Sequence, residues 1–217
     1  MVDLRALFQE TGEIPWVVGL SGGKDSTAVT MHMLETLESL PPPIRRRKRC
    51  FVTCVNTLVE APPVIDHVHR FIAALREYVR DRELPVEVVE LVPEVDQTFW
   101  SNLIGRGYPA PIRDFRWCTD RMKVRPGMKF VKENAEIFGD PPVVHFLLGT
   151  RFDESISRQR TMETHTRLGT DIHSHGTIST AGVIRPIEDW TTVDVWDYIL
   201  KDDWVDGGSN PFFEVNQ

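Results

Sequence analysis

The chain has little cysteine: three residues in 217, at positions 50, 54 and 118. Cys50 and Cys54 lie four apart in an apolar run that reads as a strand, so about 13 Å separates their Cα atoms at ~3.3 Å per residue. That distance excludes a disulfide between them or a metal shared by them, and both read as core residues. So few thiols point to a reduced, cytoplasmic protein. Long hydrophobic runs are missing as well. No stretch approaches the ~18 apolar residues of a membrane span, and Met1-Val2-Asp3-Leu4-Arg5 lacks the apolar core of a signal peptide. A cytoplasmic location without a membrane partner is therefore expected. Nor is there an excess of positive charge. With 25 Lys and Arg against 32 Asp and Glu the net charge is −7, which excludes a general polycation. Contact with a polyanion must come from a local patch. Internal repeats are not visible.

What is present bounds the fold. At 217 residues and 41% hydrophobic content, the chain suits one core and one domain, 1–217. A short helix is expected from Val2 to Glu10, closed by Gly12. Strands are expected at 15–20, 50–55, 86–91 and 143–148, with a short fifth at 183–184. Helices fall between them, from the loop after the first strand to about Leu40, near 62–80, and in part over 94–106 and 120–137. A last helix is capped by Thr191 or Thr192. This alternation implies an α/β fold, a mostly parallel twisted sheet with helices on both faces. Ligands of such sheets bind beyond the carboxyl ends of the strands. Residues 165–182, rich in Gly, Ser, Thr and His, read as a mobile surface loop.

The most informative segment is Ser21-Gly22-Gly23-Lys24-Asp25-Ser26, between the first strand and a helix start. Glycines let the backbone approach a ligand closely, the first helix amides point outward, and the helix dipole favours an anion. Lys24 adds a cation, and Ser21 and Ser26 add hydroxyls. Only three residues separate Gly19 from Gly23, and Asp25 follows the lysine, so this is not the G-x-x-x-x-G-K-[ST] loop of kinases. Three other loaded segments also fall after strands or on the way to the next one. They are Asn56-Thr57-Leu58-Val59-Glu60, Phe115 to Lys123, and Gly149 to Arg158. The topology rule brings all four to one rim.

The glycine segment resembles the PP-loop of ATP pyrophosphatases. Together with G-x-R-x-x-E-S-x-x-R at 149–158 it is similar to the phosphoadenosine-phosphosulfate reductase superfamily. Asn56 to Glu60, Phe99-Trp100, Gly105 to Pro111, Phe115 to Lys123, and Pro186-Ile187-Glu188-Asp189-Trp190 narrow the resemblance to the DndC and SspD families of DNA phosphorothioation. The likeness implies cleavage of ATP to AMP and pyrophosphate, activating the DNA backbone for sulfur incorporation. The implied partners are ATP, DNA and other sulfur-modification proteins, including a cysteine desulfurase. A sulfonucleotide reductase-like enzyme and a non-catalytic nucleotide-binding subunit are the alternatives. DndC-type proteins are associated with a cysteine-bound iron–sulfur cluster. No cysteine follows Cys118, so no cluster is expected within this chain, which reads as a truncated or short member.

In this resemblance Ser21, Gly22, Gly23, Lys24 and Ser26 hold phosphates, and Asn56 and Thr57 stand where backbone groups read an adenine edge. Asp25 either faces Mg2+ or braces the loop. Arg151 and Arg158 offer guanidinium forks to phosphate oxygens, with solvated surface arginines as the other reading. Cys118 is a sulfur carrier or a packed thiol. From 113 to 125, Arg113, Arg116, Arg121, Lys123 and Arg125 outweigh Asp114 and Asp120, a patch suited to DNA or an ordinary helix face. The run Arg45 to Arg49 precedes a strand, so it belongs at the opposite end of the sheet, as a solvated loop. His165, His173 and His175 read as solvated rather than as a zinc site.

Overall fold

The computed structural model describes residues 2–112, 115–166, 169–176, 178–204, 209–212 and 215. The apolar run after the first helix, α1 (Leu4–Glu10), forms β1 (Trp16–Leu20). Parallel neighbours flank β1, with β2 (Cys50–Val55) on one side and β4 (His145–Leu147) on the other. Beyond β2 lies β3 (Val86–Leu91). Beyond β4 lies β6 (Gly182–Ile184), and β5 (Ile172–Ser174) closes that edge antiparallel to it. The order β3-β2-β1-β4-β6-β5 makes a six-stranded, mostly parallel sheet.

Both faces of the sheet are covered, which is why its inner strands read as continuous apolar runs. Trp16, Val18 and Leu20 point into a large core shared with α1, α2 (Lys24–Ser39), α3 (Pro62–Asp81) and α6 (Thr192–Ile199). Val17 and Phe51 point the other way, against Val131 of α4 (Arg125–Glu133) and Phe138. A further helix, α5 (Ile156–His165), follows β4. Of the two candidate caps for α6, Thr191 is used. Its Oγ1 accepts from the Asp194 amide at 3.2 Å, and the Asp194 carboxylate accepts from the Thr191 amide at 2.7 Å. Among the described residues no helix is long and apolar enough to cross a membrane.

The strand order places the topological switch beside β1, so the segments leaving β1 and β4 at their carboxyl ends enclose the expected ligand crevice. One element differs from the reading of the sequence. The segment 165–182 contains strand β5, whose three residues are too few to show a period, and His173 within it is buried. The stretch 94–106 is helical in part, as expected, with a 3-10 turn at Val95–Gln97 and a π turn at Ser101–Gly105.

The basic run 45–49 lies at the amino end of the sheet, as its place before β2 requires. Arg46 and Arg49 pair with Glu83 and Glu87 on the surface. Lys48 departs from the solvated reading. It is 2% exposed, its Nζ sits 4.2 Å from the Phe8 ring and 4.6 Å from the Trp16 ring, and it donates to Thr11 Oγ1. Burial lowers its pKa to about 8. His145 begins β4 at the same end, and burial, aided by Lys48, lowers its pKa to about 4.

A histidine held neutral in the fold resists protonation that the unfolded chain accepts. Stability is therefore complete above pH 6.5 and lost as pH falls from there to about 4. We expect this one group to contribute roughly 3 kcal/mol of that acid loss. Denaturant unfolding at several pH values, compared between wild type and His145→Leu, checks it: the variant should show a flatter acid limb.

Candidate active site

The glycine loop leaves β1 at Leu20 and enters α2 at Lys24. Gly22 has φ +76°, and a Cβ there would lie 2.4 Å from Val68 Cγ2 of α3, so conformation and space both demand glycine. Gly23 is the N-cap residue of α2 and brings no side-chain cap, which leaves the first-turn amides suited to an anion. Ser26 braces the turn from within. Its hydroxyl donates to the Gly23 carbonyl at 2.9 Å and accepts from the Ser21 amide at 3.1 Å. The Ser21 hydroxyl lies 3.1 Å from it on the exposed rim.

The segment after β4 presses against this turn. A Cβ on Gly149 would come within 2.8 Å of the Asp25 carbonyl carbon and oxygen, so only glycine permits the contact. Arg151 follows and is 2% exposed. Its Nε donates to Asp25 Oδ1 at 2.7 Å, Nη1 to the Trp190 carbonyl at 3.0 Å, and Nη2 to Thr192 Oγ1 at 3.3 Å. One guanidinium thus ties the start of α2 to the start of α6. The other oxygen of Asp25 is 3.1 Å from Lys24 Nζ. In this geometry Arg151 is a buried clamp rather than an open fork, and Asp25 is its brace. Arg158 lies at the surface, its Nε 2.9 Å from Glu154 Oε2. Glu154 Oε1 in turn accepts from the Arg151 amide at 3.3 Å.

After β2, Asn56 Oδ1 accepts from the Leu58 amide at 2.9 Å, holding Leu58 at φ +65°. Thr57 is buried and donates to Glu60. Both side chains shape this turn, and Asn56 lines a small cavity with Ser21 and Glu60. Ser21 and Glu60 also border a larger cleft of about 340 Å³, within the range of small-molecule sites. Its walls are Val17 and Gly19 of β1, Thr53 and Val55 of β2, Phe146 of β4, and Lys123, Met128 and His175.

The sequence reading gave no role in the site to three of these residues. Gly19 entered only as spacing, Phe146 only as part of a strand, and His175 as a solvated loop histidine, whereas it is half-buried. Gly19 is the exposed position of β1, and nothing lies within 4 Å of where its Cβ would stand. Glycine inside a strand marks close approach by a ligand or another backbone, which is the signal that was available. Phe146 and His175 face each other with ring centroids 5.1 Å apart. His175 Nδ1 accepts from the Ile178 amide at 3.0 Å. Burial and neighbouring His165 lower the His175 pKa, favouring the neutral ring. Among the described residues no group of three or more His, Cys, Asp or Glu could hold a metal ion.

Cys50 and Cys54 are buried, with thiols pushed up to about 12 and about 11, chiefly by burial. Cys118 is half-buried. Of the basic patch, Arg116 and Lys123 are exposed and Arg125 pairs with Asp120 at 2.8 Å. Arg113 and Asp114 lie outside the described residues.

An uncapped helix start, its lysine and an adjoining apolar cleft lie together at the switch point of a mostly parallel α/β sheet. The chain belongs to the phosphoadenosine phosphosulfate reductase domain family, whose model matches residues 15–205. Two uncharacterised proteins of Methanocaldococcus jannaschii are similar to it. One is 29% identical over 188 residues, 87% of this chain and 32% of the relative; the other is 26% identical over 183 residues, 84% and 35%. The chain thus spans about a third of the length of these relatives. Among solved structures, phosphoadenylyl-sulfate reductase of Candida auris, in a phosphate complex, aligns with TM-score 0.52 at 14% identity, over 90% of this chain and 76% of that one. The U34-tRNA thiolase NcsA of Methanococcus maripaludis, with its 4Fe–4S cluster, aligns with TM-score 0.51 at 14% identity, over 98% and 69%. At that identity both speak to the fold.

Removing the Arg151 clamp leaves the partly buried Asp25 carboxylate to Lys24, and the Trp190 carbonyl and Thr192 without their shared donor. Arg151→Met is expected to cost about 3–5 kcal/mol, read by denaturant unfolding. Arg151→Lys should recover only part of it, because an ammonium cannot span Asp25, Trp190 and Thr192 together. Wild-type stability in both variants would show that the clamp carries no load.

Proposed function

We propose that the protein is an ATP pyrophosphatase that activates the DNA backbone for sulfur incorporation. The observation that carries this reading is the glycine loop, whose uncapped helix start and Lys24 present amides and a cation to a pyrophosphate. A nucleotide whose β and γ phosphates rest on residues 21–24 leaves its α-phosphorus open, and its base has the adjoining cleft to occupy. A non-bridging oxygen of the DNA phosphate attacks the α-phosphorus, and pyrophosphate departs with the bonding electron pair. Sulfur then bonds to the backbone phosphorus while AMP leaves with the former phosphate oxygen, which alone is a poor leaving group.

Each residue has a share in this account. Lys24 stabilises charge that develops on the departing pyrophosphate. Asp25, aligned by Arg151, orients Lys24. Both Asp25 oxygens are engaged by those two cations, which does not fit a protein-held Mg2+, so no step is assigned to a metal there. Magnesium would instead come on the nucleotide phosphates. Asn56 and Thr57 shape the turn beside the base, and Arg158 stands at the outer edge of the anion site. Cys118 is the half-buried thiol of the three and is proposed as the sulfur carrier. Its persulfide would bond to phosphorus through the terminal sulfur, and a thiol co-reactant would then cleave the S–S bond and be left as a disulfide. A cysteine desulfurase is the kind of partner that would load it. Membership of the reductase domain family favours one second reading, a sulfonucleotide reductase-like activity.

Product analysis decides between them. The protein with ATP, Mg2+ and DNA should yield AMP and pyrophosphate, and Lys24→Ala should lower turnover by ~10²-fold or more. ADP with inorganic phosphate as the main products would overturn the proposal. Sulfite release from a sulfonucleotide in the presence of a thiol would replace it with the second reading.

A further inference from the structure

Between β3 and α4 the chain displays aromatic and apolar side chains that a self-contained core would cover. Trp100 is 57% exposed and Phe115 46% exposed, with Ile104 and Ile112 also open to solvent. Trp100 stands at the end of a row of packed rings. The Trp100 ring meets Phe99 edge-on at 5.2 Å, Phe99 stacks on Trp117 at 5.5 Å and 22°, and Trp117 meets Tyr108 at 5.5 Å and 90°. Trp117 Nε1 donates to the Pro109 carbonyl at 3.0 Å, and Ile112 and Phe115 pair in an isolated antiparallel bridge. The ladder ends on a cation. The Arg121 guanidinium lies 5.0 Å from the Tyr108 ring and donates to the Tyr108 hydroxyl at 2.7 Å. Two residues on, Lys123 lines the cleft beside the glycine loop.

Exposed flat rings with neighbouring cations answer the two needs of an unpaired nucleic-acid strand. Bases stack on the rings in any sequence, and the cations follow the phosphates. A duplex buries its base faces and cannot use such rings without extruding a nucleotide. A protein partner is the poorer match for the lysine, because interface cores are depleted of lysine although enriched in aromatics and arginine, and Lys123 is exposed in the same segment as Arg116. We propose that Trp100 and Phe115, with Arg116, Arg121 and Lys123, form a platform for unpaired nucleotides of single-stranded DNA that leads toward the cleft. This rests on the DNA half of the proposed function and is independent of how ATP is cut.

Fluorescence anisotropy of a labelled single-stranded DNA of about 12 nucleotides, within known site sizes, provides the test. A duplex and an RNA of the same sequence run in parallel. Single-stranded DNA should bind more tightly than the duplex. Trp100→Ala, a change at an exposed position, should weaken it about 10-fold without altering its salt dependence. Arg116→Ala should both weaken binding and flatten that dependence. Equal binding of the duplex, or unchanged affinity in Trp100→Ala, overturns the platform, and binding of the RNA alone overturns its assignment to DNA. Absence of all oligonucleotide binding, with pyrophosphate release from ATP intact, overturns it in favour of a protein-binding face while leaving the ATP chemistry standing. Strand binding without pyrophosphate release would fail that chemistry and leave the platform.

Discussion

The site depends on one close approach, between the backbone of Gly149 and the first turn of α2, locked by the ion pair of Arg151 with Asp25. The two segments leave strands that neighbour each other across the switch point, so sheet pairing sets their starting positions and the clamp sets their final ones. A single side chain at position 149 would push the turns apart by colliding with the Asp25 carbonyl. Arg151 then reaches two distant stretches of chain at once, Asp25 at the start of α2 and Trp190 and Thr192 at the start of α6. A buried pair of this kind is weak evidence for stability in itself, because desolvation offsets much of the attraction. Its value here is positional: it fixes the direction of the α2 amides and the base of Lys24.

The two ends of the sheet are built for opposite purposes. At the amino end, burial discourages charge. Lys48 lies between two aromatic rings with its pKa lowered to about 8, and His145 is held neutral with its pKa near 4. At the carboxyl end the backbone presents amides, Lys24 and Lys123 stay within reach of solvent, and a cleft remains unfilled. The carboxyl rim is therefore where the proposed anion site lies, while at the amino end the surface arginines are paired, Arg46 with Glu83 and Arg49 with Glu87.

Much of this was legible in the residues, for physical reasons. The glycine loop could be read because each of its residue types has a local cause, a positive φ at Gly22 or an open cap at Gly23. Strands β1 and β2 could be read because burial on both faces writes a continuous apolar run, and the edge strand β3 because valines and a leucine surround its exposed Glu87 and Glu90. The orientation of Arg151 could not, since its partners at positions 25, 190 and 192 are distant in sequence and only the fold unites them. The burial of Lys48 was hidden for the same reason: its neighbours Phe8 and Trp16 lie more than one element away. Strand β5 was missed because three antiparallel residues carry no period. Gly19 was legible in principle, but its meaning depends on the cleft beside it.

That cleft offers the most direct test. Gly19→Val points new carbon into open space, where a Cβ meets nothing within 4 Å, so the protein should fold normally. Calorimetric titration with a non-hydrolysable ATP analogue is the measurement. If a nucleotide lies on the glycine loop with its base in the cleft, the variant should keep the wild-type circular dichroism spectrum and unfolding midpoint. It should also lose affinity by about tenfold or more, the scale of a 1–3 kcal/mol overpacking cost. Wild-type affinity in a folded Gly19→Val protein would place the nucleotide elsewhere and contradict the account.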